Sequence, residues 1–234
     1  MTSIHIPYET KPNKWFEYEQ QWKVACLKLL NKYVKEPDRR NTSVLDYGSG
    51  RGEFLQLLKD NDYPCQGVDF DPVCVELCSK NAPSRLANEA SLSTMFEDNS
   101  FNVVSCIHVL EHLRNPSEHV ATLSRITKRY LLLAVPNLQS TSMIVARGTP
   151  YIANKGHVCG WDHAHFKNFI ESICGLEFLD FGYDLVPFTT KFSKLDQLVD
   201  SVVPYQALRN FEKGYLVRKF PYLSNTIIAL CQVN

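Results

Sequence analysis

Several things are missing from this chain, and each absence narrows what it can be. There is no excess of charge: 25 lysines and arginines face 25 aspartates and glutamates in 234 residues. No global field therefore draws it to nucleic acid or to an acidic membrane surface, although a local basic face stays open. No apolar run approaches about 18 residues, so no membrane span is expected. The start, Met1-Thr2-Ser3-Ile4-His5, has neither the basic opening nor the apolar core of a secretory signal. Eight cysteines are present but no Cys-x-x-Cys pair. Most of them (Cys26, Cys65, Cys106, Cys174, Cys231) sit in apolar runs, where a reduced thiol behaves as a small hydrophobe. The expected compartment is the reducing cytoplasm.

What is present suits one α/β domain. Apolar residues make up 44% of the chain, ample for a core. The length fits one domain, or one with an inserted cap. Residues 1–36 read as an irregular arm followed by an aromatic helix from about Asn13 to Lys35, with Trp15, Phe16, Tyr18 and Trp22. That helix either packs on a sheet or closes over a ligand as a lid. Residues 37–234 read as the main domain, with an insertion at about 185–222 placed as a cap or a homodimer surface.

The domain is organised around Val44-Leu45-Asp46-Tyr47-Gly48-Ser49-Gly50-Arg51-Gly52-Glu53-Phe54-Leu55. An apolar run, three glycines at alternate positions and an amphipathic run read as strand, tight turn and helix. Glycine lets backbone approach a ligand closely, and the helix start offers unpaired N–H groups. The dinucleotide fingerprint Gly-x-Gly-x-x-Gly would need its third glycine where Glu53 stands, which disfavours an NAD oxidoreductase. Asp69 ends a second strand, Cys65–Phe70, 21 residues beyond Gly48. An acid at that spacing can bond a ribose diol. Asp71-Pro72 then opens a helix. Further strands read at Val103–Ile107, Tyr130–Val135, Leu176–Tyr183 and Thr226–Val233. This alternation predicts a mostly parallel sheet with helices on both faces and a ligand at the strands' carboxyl ends.

The run Asp46-x-Gly48-x-Gly50-x-Gly52 resembles motif I of the class I S-adenosylmethionine-dependent methyltransferases. Phe96-Glu97-Asp98-Asn99-Ser100-Phe101-Asn102-Val103-Val104 resembles that family's turn into the fourth strand, with Met95 and Asn102 in place of a proline and an aspartate. The resemblance spans about residues 40–180. It implies a doubly wound, Rossmann-like sheet of seven strands with an antiparallel last strand. It also implies S-adenosylmethionine held by Asp46, Gly48, Gly50, Gly52, Asp69, Phe70, Ser91, Leu92, Ile107 and His108.

Two clusters speak to the acceptor side. His108, Glu111 and His112 are spaced i, i+3, i+4 and would share one face if a helix began there. Farther on comes Gly156-His157-Val158-Cys159-Gly160-Trp161-Asp162-His163-Ala164-His165-Phe166. Such segments also occur in methyltransferases that bind no metal, where they pack and hydrogen-bond beside the site. His157…Trp161…Phe166 resembles the His-x-x-x-Trp-x-x-x-x-Phe loop of small-RNA 3′-end 2′-O-methyltransferases, whose Glu-x-x-Glu-His segment chelates a divalent metal ion with the loop histidine. Carried over, the ligands would be His108, Glu111, His112 and His157, with His108 departing from the glutamate of that family. Without a metal, His112, His157 and Glu111 are the candidate catalytic groups. The leading reading is methyl transfer to an oxygen of a small-molecule acceptor. RNA terminal-ribose methylation, and cofactor binding without transfer, are the alternatives.

Overall fold

The computed structural model describes residues 20–87, 89–146, 156–187 and 205–233. The expected arm over 1–12, the aromatics Trp15, Phe16 and Tyr18, Arg147, and the helix read over 192–203 lie outside the described residues.

Seven strands form one sheet in the order β3-β2-β1-β4-β5-β7-β6. Their ranges are β1 Val44–Tyr47, β2 Cys65–Asp69, β3 Ser84–Leu86, β4 Phe101–Ile107, β5 Thr127–Pro136, β6 Glu177–Tyr183 and β7 Thr226–Gln232. The first five pair in parallel, and β7 runs antiparallel between β5 and β6. The expected seven-stranded architecture with an inserted last strand is therefore present. β3 is a strand that periodicity does not reveal. It is three residues long and half-exposed, too short to alternate.

The central strands read as continuous apolar runs because both sheet faces are covered. In β5, Leu131, Leu133 and Val135 join one buried cluster, while Tyr130, Leu132 and Ala134 join the other. That is the period of two that a strand imposes. One face is covered by helix α1 (Gln21–Tyr33), which buries Ala25, Cys26, Leu29 and Leu30. The other is covered by α2 (Pro116–Ile126), through Val120, Leu123 and Ile126. All eight cysteines are free, and burial pushes the Cys26 and Cys106 thiols well above their ordinary range. They are packing groups.

Asp69, Ile107 and Pro136 end their strands, and Asp46 stands one residue from the end of β1. All four lie on the carboxyl edge. The segment after β4 differs from the helical expectation. It makes a single 3-10 turn, Leu110–His112, and α2 begins only at Pro116. Proline suits a helix's first turn but disfavours helical backbone in the residue before it, which keeps 108–115 from joining one long helix. Among the described residues no helix is long and apolar enough to cross a membrane.

Candidate active site

The first half of the carboxyl rim is built from backbone. Gly48, Gly50 and Gly52 all have positive φ. Gly48 is the most constrained: a Cβ there would lie 2.2 Å from Val109 Cγ2. The chain after β4 therefore packs directly on the turn. The helix Glu53–Lys59 starts at Gly52 with φ 83°, and a Cβ at Gly52 would press on Cys78 at 3.0 Å. The Gly48 and Ser49 amides both donate to the Val68 carbonyl, at 2.8 and 3.1 Å, tying the turn to β2.

Two acids brace this turn. Asp69 accepts from the Gly50 amide at 2.8 Å and from the Asp71 amide at 2.9 Å. Burial raises its pKa, and those two bonds oppose the rise. Phe70, beside it, is exposed, so its ring is open to a stacking partner. Asp46 is almost fully buried and accepts from Ser105 Oγ at 2.6 Å. Burial pushes its pKa up to about 7, opposed by the Ser105 hydrogen bond and by the charge of Lys23. Of the other residues assigned to the cofactor, Leu92 is buried in the core, Ser91 is half-buried on helix Glu89–Met95, and Ile107 is buried at the end of β4.

Lys23, a buried cation on α1, escapes a reading based on apolar periodicity. Its Nζ lies 3.2 Å from Glu53 Oε2 and 4.7 Å from the centre of the Trp22 ring. The aromatic helix thus reaches the glycine turn through a charge. A lysine that breaks an otherwise apolar helix face is the signal that could have found it.

The second half of the rim is assembled across the fold. The amides of Val158 and Cys159 donate to the Glu111 carbonyl, at 2.8 and 3.4 Å, and His112 Nδ1 donates to the Gly156 carbonyl at 2.9 Å. These bonds clamp the 156–160 loop to the 3-10 turn. The rings of His112 and His157 meet edge to face, 4.8 Å apart. One ligand-type atom from each of Glu111, His112 and His157 lies within 4.8 Å of the others. Glu111 is 1% exposed, and its Oε2 has no hydrogen-bond partner. Burial lowers the His157 pKa, with Glu111 opposing and His112 and His108 reinforcing. His157 is therefore neutral at physiological pH, and the bond to Gly156 engages His112 Nδ1 while Nε2 lies 3.9 Å from Glu111 Oε1.

His108 is not in that group. It takes left-handed backbone, φ 54°, at the end of β4. Such a conformation costs a non-glycine residue about 1–2 kcal/mol. Trp161 and Phe166 of the loop turn inward and pack with Phe169 in the core. His163 is buried among Phe181, Tyr183 and Tyr222, with both ring nitrogens unpaired, and burial lowers its pKa to about 4. His165 is exposed and bonds the helix-capping Asp162. Of the three loop histidines, only His157 faces the site.

A cleft of about 210 Å³ opens beside these groups, lined by Glu111, His157, Cys159 and Gly160 and floored by Pro136, Leu138, Met143 and Val158. Asn137 sets its floor, donating through Nδ2 to the Tyr222 and Ser224 carbonyls at 3.0 and 2.7 Å.

The model of a family described as a methyltransferase domain matches residues 17–173. Among curated proteins, the chain is 25% identical over 103 residues to ajmaline N-methyltransferase of Rauvolfia serpentina, covering 41% of this chain and 35% of that one. It is 22% identical over 130 residues to ubiquinone biosynthesis O-methyltransferase of Saccharophagus degradans, covering 52% and 55%. The chain thus spans about a third and about half of these relatives. Among solved structures, magnesium protoporphyrin IX methyltransferase from Synechocystis PCC 6803 with bound SAH superposes with a TM-score of 0.64 at 12% identity, over 96% of this chain and 89% of that one.

Proposed function

This chain belongs to the methyltransferase domain family, and from that premise we propose that it is an S-adenosylmethionine-dependent methyltransferase acting on an oxygen of a small-molecule acceptor. The observation that carries the oxygen reading is the convergence of Glu111, His112 and His157 at the cleft. A neutral amine is already a nucleophile. A hydroxyl must lose a proton as its oxygen bonds the methyl carbon, and the cluster can take it.

The two halves of the rim divide the work. The glycine turn and Asp69 suit the nucleoside and amino-acid parts of the cofactor, and Asp46 suits its ammonium group. A cation beside Asp46 would favour the ionised carboxylate that burial disfavours. Val109, packed on Gly48, brings the acceptor segment to the turn. Such closeness matters because alignment of the reacting atoms at about 3–3.5 Å supplies much of the barrier reduction. His112 Nε2 and neutral His157 are the bases for the acceptor proton. The apolar floor of Leu138, Met143 and Val158 suits an acceptor with a hydrophobic ring or chain.

The same three donors also suit a divalent metal. Two imidazoles and one carboxylate favour zinc or another transition ion over magnesium. The unpartnered, buried Oε2 of Glu111 fits that use. A bound ion would lower the pKa of the acceptor hydroxyl.

Calorimetric titration of S-adenosylmethionine and of NAD tests the cofactor: affinity for the first alone is expected. Methyl transfer to a panel of phenols, sugars, amines and a short RNA, before and after chelation, tests the acceptor class and the metal. Transfer to amines only would overturn the oxygen reading.

A further inference from the structure

His108 stands where the strained end of β4 meets three other parts of the chain. Its Nδ1 lies 3.3 Å from Glu111 Oε1. Its Nε2 lies 3.4 Å from Thr226 Oγ1, on the first residue of β7. Its ring packs on Trp22 of α1, with centroids 4.8 Å apart. Behind Thr226 stands Asp184, a buried carboxylate that accepts from the Asn225 and Thr226 amides at 3.0 and 3.2 Å and from the Thr226 hydroxyl. A row of polar groups thus runs from Asp184 through Thr226 and His108 to Glu111.

We propose that His108 is a positioning residue for Glu111, holding its carboxylate so that Oε1 faces His112 Nε2 at 3.9 Å, rather than a member of the Glu111, His112 and His157 donor set. This rests on the reading of Glu111, His112 and His157 as the acceptor-side groups. Three observations carry it. His108 lies outside the three-residue group whose ligand atoms converge. Its two nitrogens are already occupied, one by Glu111 and one by Thr226. Its left-handed backbone turns the ring away from the path of the following turn and onto Trp22, which backs it from α1. With a proton on Nδ1, the ring donates toward the Glu111 carboxylate. In this arrangement α1 serves both halves of the rim through adjacent residues: Lys23 meets Glu53 at the turn, and Trp22 backs the group that orients Glu111.

Two substitutions separate positioning from the other roles His108 could have. Asparagine tolerates left-handed backbone and places an N–H donor near the site of Nδ1. Glycine relieves the backbone and removes the side chain. With Co²⁺ as the probe, followed by its visible spectrum, His108→Asn is expected to keep the wild-type spectrum and affinity within about threefold. His108→Gly is expected to bind at least tenfold more weakly, with S-adenosylmethionine affinity within about twofold of wild type. Equal loss in both variants would make His108 a ligand and overturn the proposal. No loss in His108→Gly would leave only a backbone role and also overturn it. The imidazole ¹⁵N correlations of the unsubstituted protein give a second readout that needs no metal. A proton on His108 Nδ1 supports the proposal, and an Nδ1 that carries none refutes it. A protein that binds no Co²⁺ would sink the metal reading alone, and the Nδ1 proton would then decide the role of His108.

Discussion

The two halves of the rim are built in opposite ways. The glycine turn is local: Asp46 to Glu53 is eight consecutive residues, and its shape is set by three positive φ angles and by amides bonded to β2 and Asp69. The acceptor half is distributed: His112 and Gly156 are 44 residues apart in the chain, and their hydrogen bond helps to bring His157 to Glu111. A local site depends on backbone conformations that few residues can adopt. A distributed site depends on side chains whose neighbours are supplied by other elements. The first should fail through shape, and the second through chemistry.

The largest effect is expected at Gly48. Gly48→Ala combines a φ of 76° with a Cβ placed 2.2 Å from Val109, so both the turn and the chain after β4 must move. Loss of measurable S-adenosylmethionine binding by calorimetry and a lowered melting temperature are expected. Gly50→Ala sets the scale for strain alone, since nothing lies within 4 Å of its Cβ position. It should cost only about 1–2 kcal/mol of stability. If the two variants behave alike, packing on Val109 is not what shapes the turn.

Next come the acceptor-side groups. His157→Ala and Glu111→Gln should lower kcat by roughly 10²–10⁴, the usual range for a general acid or base, with cofactor affinity unchanged. An equal loss of cofactor affinity would erase the division between the halves. The burial that lowers the His157 pKa places the acid limb of the rate profile below the ordinary histidine value. The midpoint of that acid limb should fall below pH 6.5.

His163 tests whether histidines in one loop share a role. Its folded pKa of about 4 lies below the unfolded value of 6.5, so protonation opposes folding. The stability it preserves is fully present above pH 6.5 and is lost as pH falls toward 4, by roughly 3 kcal/mol in all. His163→Phe should flatten that decline in urea unfolding measured from pH 7 to pH 4, and leave kcat alone. A fall in kcat would place His163 in the site after all.

The smallest effect concerns Asp46. Its raised pKa of about 7 means that a cationic ligand group must draw the carboxylate into its ionised form, releasing a proton. S-adenosylmethionine affinity should rise with pH up to about 7, by at most tenfold per unit, and then level off. Calorimetry in buffers of different ionisation enthalpy would detect the proton. A flat profile would mean that Asp46 is only structural.

Much of the fold and the whole glycine turn could be read from residue order. Apolar runs marked the longer strands, and the Asp46–Gly52 spacing marked the turn. β3 was hidden by its length, and Lys23 by standing on an otherwise apolar helix face. The acceptor half was legible as a set of residue types but not as an arrangement. The spacing of His108, Glu111 and His112 invited a shared helical face, whereas the chain forms one 3-10 turn that leaves His108 outside the donor group. His157, His163 and His165 lie within nine residues of one another and end in three environments: at the cleft, in an aromatic core and in solvent.

By itself, then, the sequence determined the element order, the sheet class and the glycine turn, because each of these follows from periodicity or from residues adjacent in the chain. Only the tertiary structure decided which histidines face Glu111, that Trp22 and Lys23 join α1 to both halves of the rim, and that Asp184 and Thr226 stand behind His108. Those contacts join positions far apart in sequence, and burial and neighbouring charge, which set how each group titrates, exist only once the sheet and its helices have closed around them.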